Sequence, residues 1–206
     1  ENSPVQYLLM LKLITVLVSP VIPRPNPVRC GWTWGYGPTK AHRNRIEYNY
    51  IHHIDPGKLC DMGGIYTLGT SPGTVVCNNL IHDVWDWEEG YGAGGVYPDE
   101  GSSQILIENN VVYRTATAGL KVHYVKDNIA RNNIIALGRD QQVYLGRSDK
   151  DSSIKFERNI VYYDEGKLFV RESRLEADHN VYWNARGEPV TFLNALTWEQ
   201  WHAKGL

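Results

Sequence analysis

The chain has 206 residues, which is enough for one domain with a complete hydrophobic core. Its formal net charge is −2 with acids and bases interspersed, and this argues against nucleic acid as the main partner, because such domains usually carry a basic face. The 13 Tyr and 7 Trp far outnumber the 3 Phe, and rings with a polar atom suit either half-buried packing or a binding surface. Cys30, Cys60 and Cys77 have no metal-ligand spacing, so we expect free thiols. We expect a monomer that needs no metal or other cofactor.

The first 28 residues differ in composition from the rest. Residues 7–22 are apolar, but Lys12 interrupts them, they are too short for a membrane span, and they lack the basic start and cleavage site of a signal peptide. Residues 19–28 contain four prolines, which exclude a helix or a central strand there. We therefore predict an irregular segment or cap over 1–28, a folded domain over 29–206 and no membrane association.

Two stretches of the chain repeat each other. Gly63-Gly64-Ile65-Tyr66 returns 31 residues later as Gly94-Gly95-Val96-Tyr97. A longer repeat consists of Asn followed by two mostly aliphatic residues, at intervals of 21 to 31 residues. Its six members begin at Asn49, Asn79, Asn110, Asn133, Asn159 and Asn180.

A fixed motif at variable intervals indicates stacked coils with loops of different length on one face. With no helical period before residue 190, the sequence predicts an all-β fold, a right-handed parallel β-helix. Asn is expected at each turn because it tolerates left-handed backbone and can stack in a hydrogen-bonded ladder. A sandwich or a propeller is the alternative. A short C-terminal helix is predicted over 197–204, with Thr197 as N-cap and Gln200 in a capping box.

Aligning the coils on the Gly-aliphatic strand predicts two outward columns of side chains. They could line a groove for a sugar chain, with Tyr66 and Tyr97 facing it, whereas the alternative is a solvated face whose rings only stabilise strand pairing. The first column is Tyr66, Tyr97, Lys121, Tyr144 and Phe169. The second is Leu68, Asp99, His123, Gly146 and Arg171.

Three carboxylates and a histidine are the candidates for chemistry. Asp99 beside His123 would be a general acid or base, or else half of a structural ion pair. Glu100 reaches the same face only if the chain bends, and the following Gly-Ser-Ser favours a bend. Asp61 is a second carboxylate candidate, but straight strand alignment leaves it far from Asp99 and favours a turn-forming role.

Two further clusters lie outside these columns. His52 and His82 share a register position, lack a third ligand at metal spacing and are interpreted as surface or turn-bonding histidines. The segment 83–89 is an acidic loop in which Trp85 and Trp87 could stack on sugar. Its acids could also hold Ca²⁺ or simply be solvated, and they are Asp83, Asp86, Glu88 and Glu89.

Residues 31 to about 164 resemble the β-helix glycoside hydrolase family that includes α-L-fucosidases and xylanases. The resemblance implies that Asp61 and Asp99 are a catalytic carboxylate pair. The family usually has His where Lys121 stands, and its proteins are longer, so we expect a fragment. The matching stretches are 35–39, 44–52, 61–69, 71–76, 79–84 and 97–103.

These observations together predict a secreted or periplasmic protein that binds a polysaccharide or oligosaccharide and hydrolyses glycosidic bonds. A non-catalytic carbohydrate-binding or structural β-helix is one alternative. A polysaccharide lyase is the other, since Lys121, Arg147 and Arg171 could neutralise a uronate. The expected catalytic residues are Asp61, Asp99, Glu100 and His123. The expected substrate-binding residues are Tyr66, Tyr97, Lys121, Tyr144, Arg147, Arg171, Trp85 and Trp87.

Overall fold

A computed structural model describes residues 27–55, 57–87, 90–147, 150–170 and 175–205. The described strands form three parallel sheets, and each strand pairs with those three positions before and after it in the chain. Sheet A contains β1 (Val28–Cys30), β4 (Met62–Thr67), β7 (Ala93–Pro98), β10 (Ala118–Val122), β13 (Gln141–Leu145) and β16 (Lys167–Val170). Sheet B contains β2 (Arg45–Glu47), β5 (Thr70–Cys77), β8 (Ser103–Glu108), β11 (Asn128–Arg131), β14 (Ile154–Glu157) and β17 (Leu175–Asp178). Sheet C contains β3 (Tyr50–Ile54), β6 (Leu80–Val84), β9 (Val111–Thr115), β12 (Ile134–Ala136), β15 (Ile160–Tyr163) and β18 (Val181–Asn184).

Each coil therefore contributes one strand to each sheet, and six coils stack into a solenoid. The predicted parallel β-helix is confirmed. Sheet A also has an inward column of buried side chains, because alternate residues of every strand point to the shared core. Its members Ile65, Val96, Leu120 and Val143 are at most 2% exposed.

The six repeated asparagines form one continuous ladder between sheets B and C. The Oδ1 atom of Asn110 accepts hydrogen bonds from the backbone N–H and the side-chain amide of Asn79, at 3.0 and 2.9 Å. The amide of Asn110 donates to Asn133 Oδ1 and to the carbonyl of Val76, both at 3.0 Å. Because every coil repeats these contacts, the ladder Asn side chains satisfy one another.

The left-handed residue of each turn is not the ladder asparagine, so this part of the prediction is wrong. It is the preceding residue that has φ near +55°, and the Asn amide then stays free to bond along the stack. These preceding residues are Tyr48, Asn78, Asn109, Asn132, Arg158 and His179.

The C-terminal end of the solenoid is covered by an aromatic cap. A 3₁₀ turn (Leu193–Ala195) leads to the predicted helix, α1 (Trp198–His202), and Thr197 and Gln200 form the predicted capping box. Trp201 is 2% exposed and stacks on Phe192 at 4.9 Å between centroids. This cap draws Phe169 inward, so Phe169 pairs with Val143, and Val170 takes the place predicted for Phe169 beside Tyr144.

Some predictions about the chain stay untested. Residues 1–26 lie outside the described residues, so the irregular segment over 1–28 remains a prediction, as does the boundary at 29. Within the described ranges no helix is long and apolar enough to cross a membrane. Cys30, Cys60 and Cys77 are free thiols, and of these Cys77 is buried.

Candidate active site on sheet A

The outer face of sheet A carries the two predicted columns of side chains. Tyr66 pairs with Tyr97 in register, Leu120 pairs with Val96, and Lys121 pairs with Tyr144, so the first column is confirmed as far as Tyr144. Arg29 extends this column on the other side, opposite Tyr66. In the second column the His123 amide bonds to the carbonyl of Pro98, which places His123 beside Asp99.

A sharp turn after β7 brings two carboxylates to the same side. The turn needs Gly101, whose φ is +78° and whose missing Cβ would lie 2.2 Å from the Gly35 carbonyl oxygen. His123 Nδ1 then lies 3.0 Å from Asp99 Oδ1 and 3.9 Å from Glu100 Oε1. The bend that the Gly-Ser-Ser sequence favours is therefore present, and Glu100 joins Asp99 at the histidine.

Asp99 lies in a closed hydrogen-bonded setting. Its side chain is only 5% exposed, and it interacts with His123 through one oxygen and accepts a hydrogen bond from the Tyr66 hydroxyl on the other. Burial and the Asp99 carboxylate both raise the pKa of Tyr66, so this hydroxyl keeps its proton and remains a donor. The arrangement holds Asp99 in one orientation.

Asp61 approaches this centre from the opposite end of the strands. Its backbone is left-handed, with φ of +56°, and its N–H donates to the Gly92 carbonyl at 2.9 Å. This turn supplies the fold-back that strand alignment alone could not predict. The Asp61 carboxyl is 45% exposed and accepts a hydrogen bond from the Tyr97 hydroxyl at 3.1 Å.

The Tyr97 hydroxyl is bonded to Asp61 and is influenced by the charge of Asp99. Burial, then the charges of Asp99 and Asp61, raise the pKa of Tyr97, so both carboxylates act on one hydroxyl. Tyr97 is only 2% exposed, and this corrects the expectation that its ring faces the groove. Its ring therefore offers no exposed face on which a sugar could stack, and its hydroxyl is directed to Asp61.

Lys121 is also buried, at 2% exposure, although the sequence predicted a groove-facing substrate contact. Its Nζ atom lies 3.9 Å from the centroid of the Tyr97 ring and 4.0 Å from Asp61 Oδ1. The ammonium therefore lies within the wall of the site, behind Tyr97. Tyr144, its neighbour in register, is half-buried on the same face.

Glu100 is held by a second tyrosine that the sequence did not indicate. Tyr124 donates to Glu100 Oε2 at 2.8 Å, and burial followed by this carboxylate raises the pKa of Tyr124 to about 12. The guanidinium of Arg147 lies 5.2 Å from the Tyr124 ring centroid, close enough for a cation–π contact. Arg171 lies outside the described residues, and its predicted role stays a prediction.

Exposed aromatic rings flank sheet A at both ends of its strands. Trp85 and Trp87 lie in the loop before β7, and they are 37% and 51% exposed. The loop after β1 presents Trp32 and Trp34, which are 69% and 57% exposed and make an edge-to-face contact at 6.0 Å. Trp32 and Trp34 are not among the predicted binding residues, although the alternating Trp-Thr-Trp pattern was the signal for them.

A cavity of about 460 Å³ lies beyond the Glu100 turn. Tyr36 and Lys126 line it, and Tyr36 makes an edge contact with Tyr124 at 5.9 Å between ring centroids. The cavity therefore adjoins the carboxylate centre across a wall of two tyrosines. Nothing in the repeat pattern distinguishes these residues, because they come from loops of unrelated length.

The histidine cluster lies on sheet C, away from these columns. His52 stacks on His82 at 5.4 Å, and His82 Nδ1 lies 2.6 Å from Asp83 Oδ2. His53, His82 and Asp83 have potential ligand atoms within 4.8 Å of one another. Arg114 donates to both oxygens of Asp83 and lowers its pKa to about 2, so a cation there would have to displace the guanidinium.

The acids of the 83–89 loop have separate partners in the described part of the chain. Asp83 pairs with Arg114, whereas Asp86 is buried and accepts hydrogen bonds from the Ala93 N–H and the Thr117 hydroxyl, both at 3.1 Å. These two carboxylates do not converge on a common Ca²⁺ position. Glu88 and Glu89 lie outside the described residues.

A family model described as the right handed beta helix region matches residues 38–185. The chain belongs to this family. The comparisons with curated proteins and with solved structures gave no match.

Membership in the right-handed β-helix family accounts for the coil, the three sheets and the handedness. The family match supports no more specific activity. Several groups on sheet A depart from the repeat. Among them are Asp61 with its left-handed backbone and the buried Lys121.

Proposed function

We propose that this right-handed β-helix protein binds a polysaccharide across sheet A and hydrolyses a glycosidic bond, with Asp61 and Asp99 as the two carboxyl groups. The observation that carries the proposal is a pair of tyrosines with ring centroids 5.1 Å apart, of which Tyr97 donates to Asp61 and Tyr66 donates to Asp99. Two carboxyls facing one reaction centre are the common requirement of glycosidases.

The two carboxyls have different surroundings, as an acid and base pair requires. Asp99 is almost fully buried between Tyr66 and His123, whereas nearly half of the Asp61 side chain is exposed. One carboxyl would protonate the glycosidic oxygen while the other acts on water or on the anomeric carbon. His123 would orient Asp99, and Glu100 is the alternative partner because it lies within 4 Å of the same histidine.

The remainder of sheet A supports binding of an extended chain. Six coils at about 4.8 Å per step give a face roughly 24 Å long, which accommodates several sugar units. Trp32 and Trp87 at opposite ends of the strands offer flat apolar rings on which sugar rings can stack. A substrate of this size favours action outside the cytoplasm, in a secreted or periplasmic protein.

A non-catalytic carbohydrate-binding β-helix is the second candidate. It is favoured by the burial of Asp99 and Tyr97, because a closed network can serve packing alone and leaves the exposed aromatic rims to hold the sugar. The structure gives less support to the lyase alternative, since the buried Lys121 cannot reach a uronate from this position.

The deciding experiment is a screen of the chain against neutral and acidic plant and algal polysaccharides. New reducing ends are measured together with the ultraviolet absorbance of unsaturated uronates, and binding is followed by affinity electrophoresis. We expect reducing ends without the unsaturated product, and a loss on the order of a thousandfold in Asp99→Asn with binding retained. Asp178→Asn is the control, since that side chain is 73% exposed on sheet B.

Each other outcome selects a different function. Wild-type hydrolysis in Asp99→Asn would contradict the assignment of Asp99. Binding by the wild-type chain without any product would favour the non-catalytic candidate. Unsaturated product would establish a lyase instead.

A further inference from the structure

Lys121 is the one buried lysine among the described residues, and no step of the proposed hydrolysis uses it. Burying an ammonium is costly, and a lysine is rarely found inside a protein unless its charge is paired and hydrogen-bonded. Here it lies between the candidate site and the loop that carries the exposed tryptophans. Its neighbours indicate what it does.

The ammonium holds the end of the tryptophan loop. Lys121 Nζ donates to the Tyr91 carbonyl at 2.6 Å and to the Gly92 carbonyl at 3.3 Å. The Gly92 carbonyl also accepts the N–H groups of Asp61 and Met62, at 2.9 and 3.4 Å. One carbonyl thus joins the lysine, the loop and the backbone of a candidate catalytic residue.

The same ammonium acts on the Asp61 side chain. It lies 4.0 Å from Asp61 Oδ1 while resting on the face of Tyr97, whose hydroxyl donates to that same oxygen. The Asp61 carboxyl is therefore fixed by the tyrosine hydroxyl and attracted by the lysine charge. A neutral side chain of the same length would leave only the tyrosine contact.

The start of the loop is anchored separately. Asp86 accepts hydrogen bonds from Ala93 and Thr117, and Arg139 lies 3.3 Å from its other oxygen. Loss of Lys121 would therefore loosen the end near Asp61 without unfolding the loop. This makes the role of the lysine separable from overall stability.

We propose that Lys121 is a positioning residue of the active site, whose buried ammonium holds residues 91–92 and the Asp61 carboxylate in place. The inference rests on the proposed function, because it assigns Asp61 a part in the reaction. It replaces the predicted contact between Lys121 and substrate.

The titration of this amine gives the proposal a second signature. Burial lowers the pKa of Lys121 to about 8, although the charges of Asp61, Asp99 and Asp86 and the nearby Cys60 act in the opposite direction. This pKa is below the ordinary value of 10.5, so the unfolded chain holds more protons than the folded chain between pH 8 and 10.5. The contribution of Lys121 to the free energy of unfolding therefore rises with pH through that window. Activity should fall with a midpoint near pH 8, because the charge that holds Asp61 disappears there.

The test is Lys121→Met, which keeps the length and removes the charge, with the exposed Lys155→Met as control. Amide hydrogen exchange of Asp61, Met62 and residues 91–93 is measured at one pH without substrate, beside kcat, KM and melting temperature. We expect exchange of Asp61 and Met62 at least tenfold faster, kcat reduced about a hundredfold with little change in KM, and a melting temperature that is unchanged or raised.

Unchanged exchange and kcat together with a lower melting temperature would overturn the proposal and make Lys121 a packing residue. If Lys121→Met does not fold, the pH dependence of the wild-type protein tests the proposal. The hydrolysis rate should fall with a midpoint near pH 8, whereas the melting temperature should not fall. A rate that is independent of pH from 7 to 9.5 would overturn the proposal. The exchange measurement needs no substrate. A failure of the Asp99→Asn experiment would therefore refute the hydrolase without deciding the role of Lys121.

Discussion

Polar side chains have opposite surroundings in two regions of the molecule, the turn between sheets B and C and the outer face of sheet A. In the turn, Asn79, Asn110 and Asn133 occupy the same position in successive coils and satisfy one another. On sheet A the register column changes from Tyr97 to Lys121, and Asp61 enters from a loop, so beyond one tyrosine pair unlike groups meet. Where the same residue repeats in each coil, its hydrogen-bonding groups are satisfied within the stack. Where the residues differ between coils, donors and charged groups of different kinds lie together at a surface.

The shared core supports both regions, and damaging it should give the largest effect. Val96→Asp places an unpaired carboxylate where the side chain is 2% exposed, and we expect a loss of roughly 4 kcal/mol or more, enough to prevent folding. Circular dichroism and yield of soluble protein measure it. A folded variant with wild-type melting temperature would mean that this column is not the core.

Each interior asparagine of the ladder should contribute several hydrogen bonds to the stability of the fold. Asn110→Ala leaves the Asn79 N–H and the Val76 carbonyl without their partner, and we expect a loss of roughly 3 kcal/mol in urea unfolding. Asn180→Ala at the end of the ladder is the matched control and should cost less, because Asn180 is only partly buried. Equal losses at both positions would show that burial does not set the contribution of a ladder asparagine to stability.

The site should respond in activity more than in stability. Tyr66→Phe removes the hydroxyl that donates to Asp99 and keeps the ring, so we expect about tenfold slower hydrolysis and a stability change of about 1 kcal/mol. Rates and urea unfolding are compared with Tyr162→Phe, whose ring is 36% exposed on sheet C. A larger loss of stability than of activity would place Tyr66 with the scaffold.

The smallest effect concerns the ion pair on sheet C, which resembles neither region. Arg114 lowers the pKa of Asp83 to about 2, so the pair stabilises the fold above the ordinary Asp pKa and its contribution is lost as pH falls from about 4 to 2. Arg114→Gln should reduce stability at pH 7 by about 1 kcal/mol or less and flatten this acid dependence. Thermal melts at pH 2.5, 4 and 7 test it, and an unchanged acid slope would contradict the assignment.

The repeating part of the protein can be predicted from the amino-acid sequence. Contacts between equivalent residues in neighbouring coils explain the Asn positions, the Gly-Gly-aliphatic strands and the inward valines. The spacing of these residues along the chain therefore predicts the fold. The Thr197 capping box is local for the same reason, since its contacts span three residues. Asp99 beside His123 also followed from register alone.

The parts of the protein that lie outside the repeat could not be predicted in this way. The left-handed Asp61, the burial of Tyr97 and the position of Lys121 depend on loops of unequal length folding over sheet A, and no period encodes that. Phe169 shifted by one residue because the terminal aromatic cap attracts its ring. Strand register depends on contacts that recur, whereas the environment of a charged side chain depends on whatever single loop covers it.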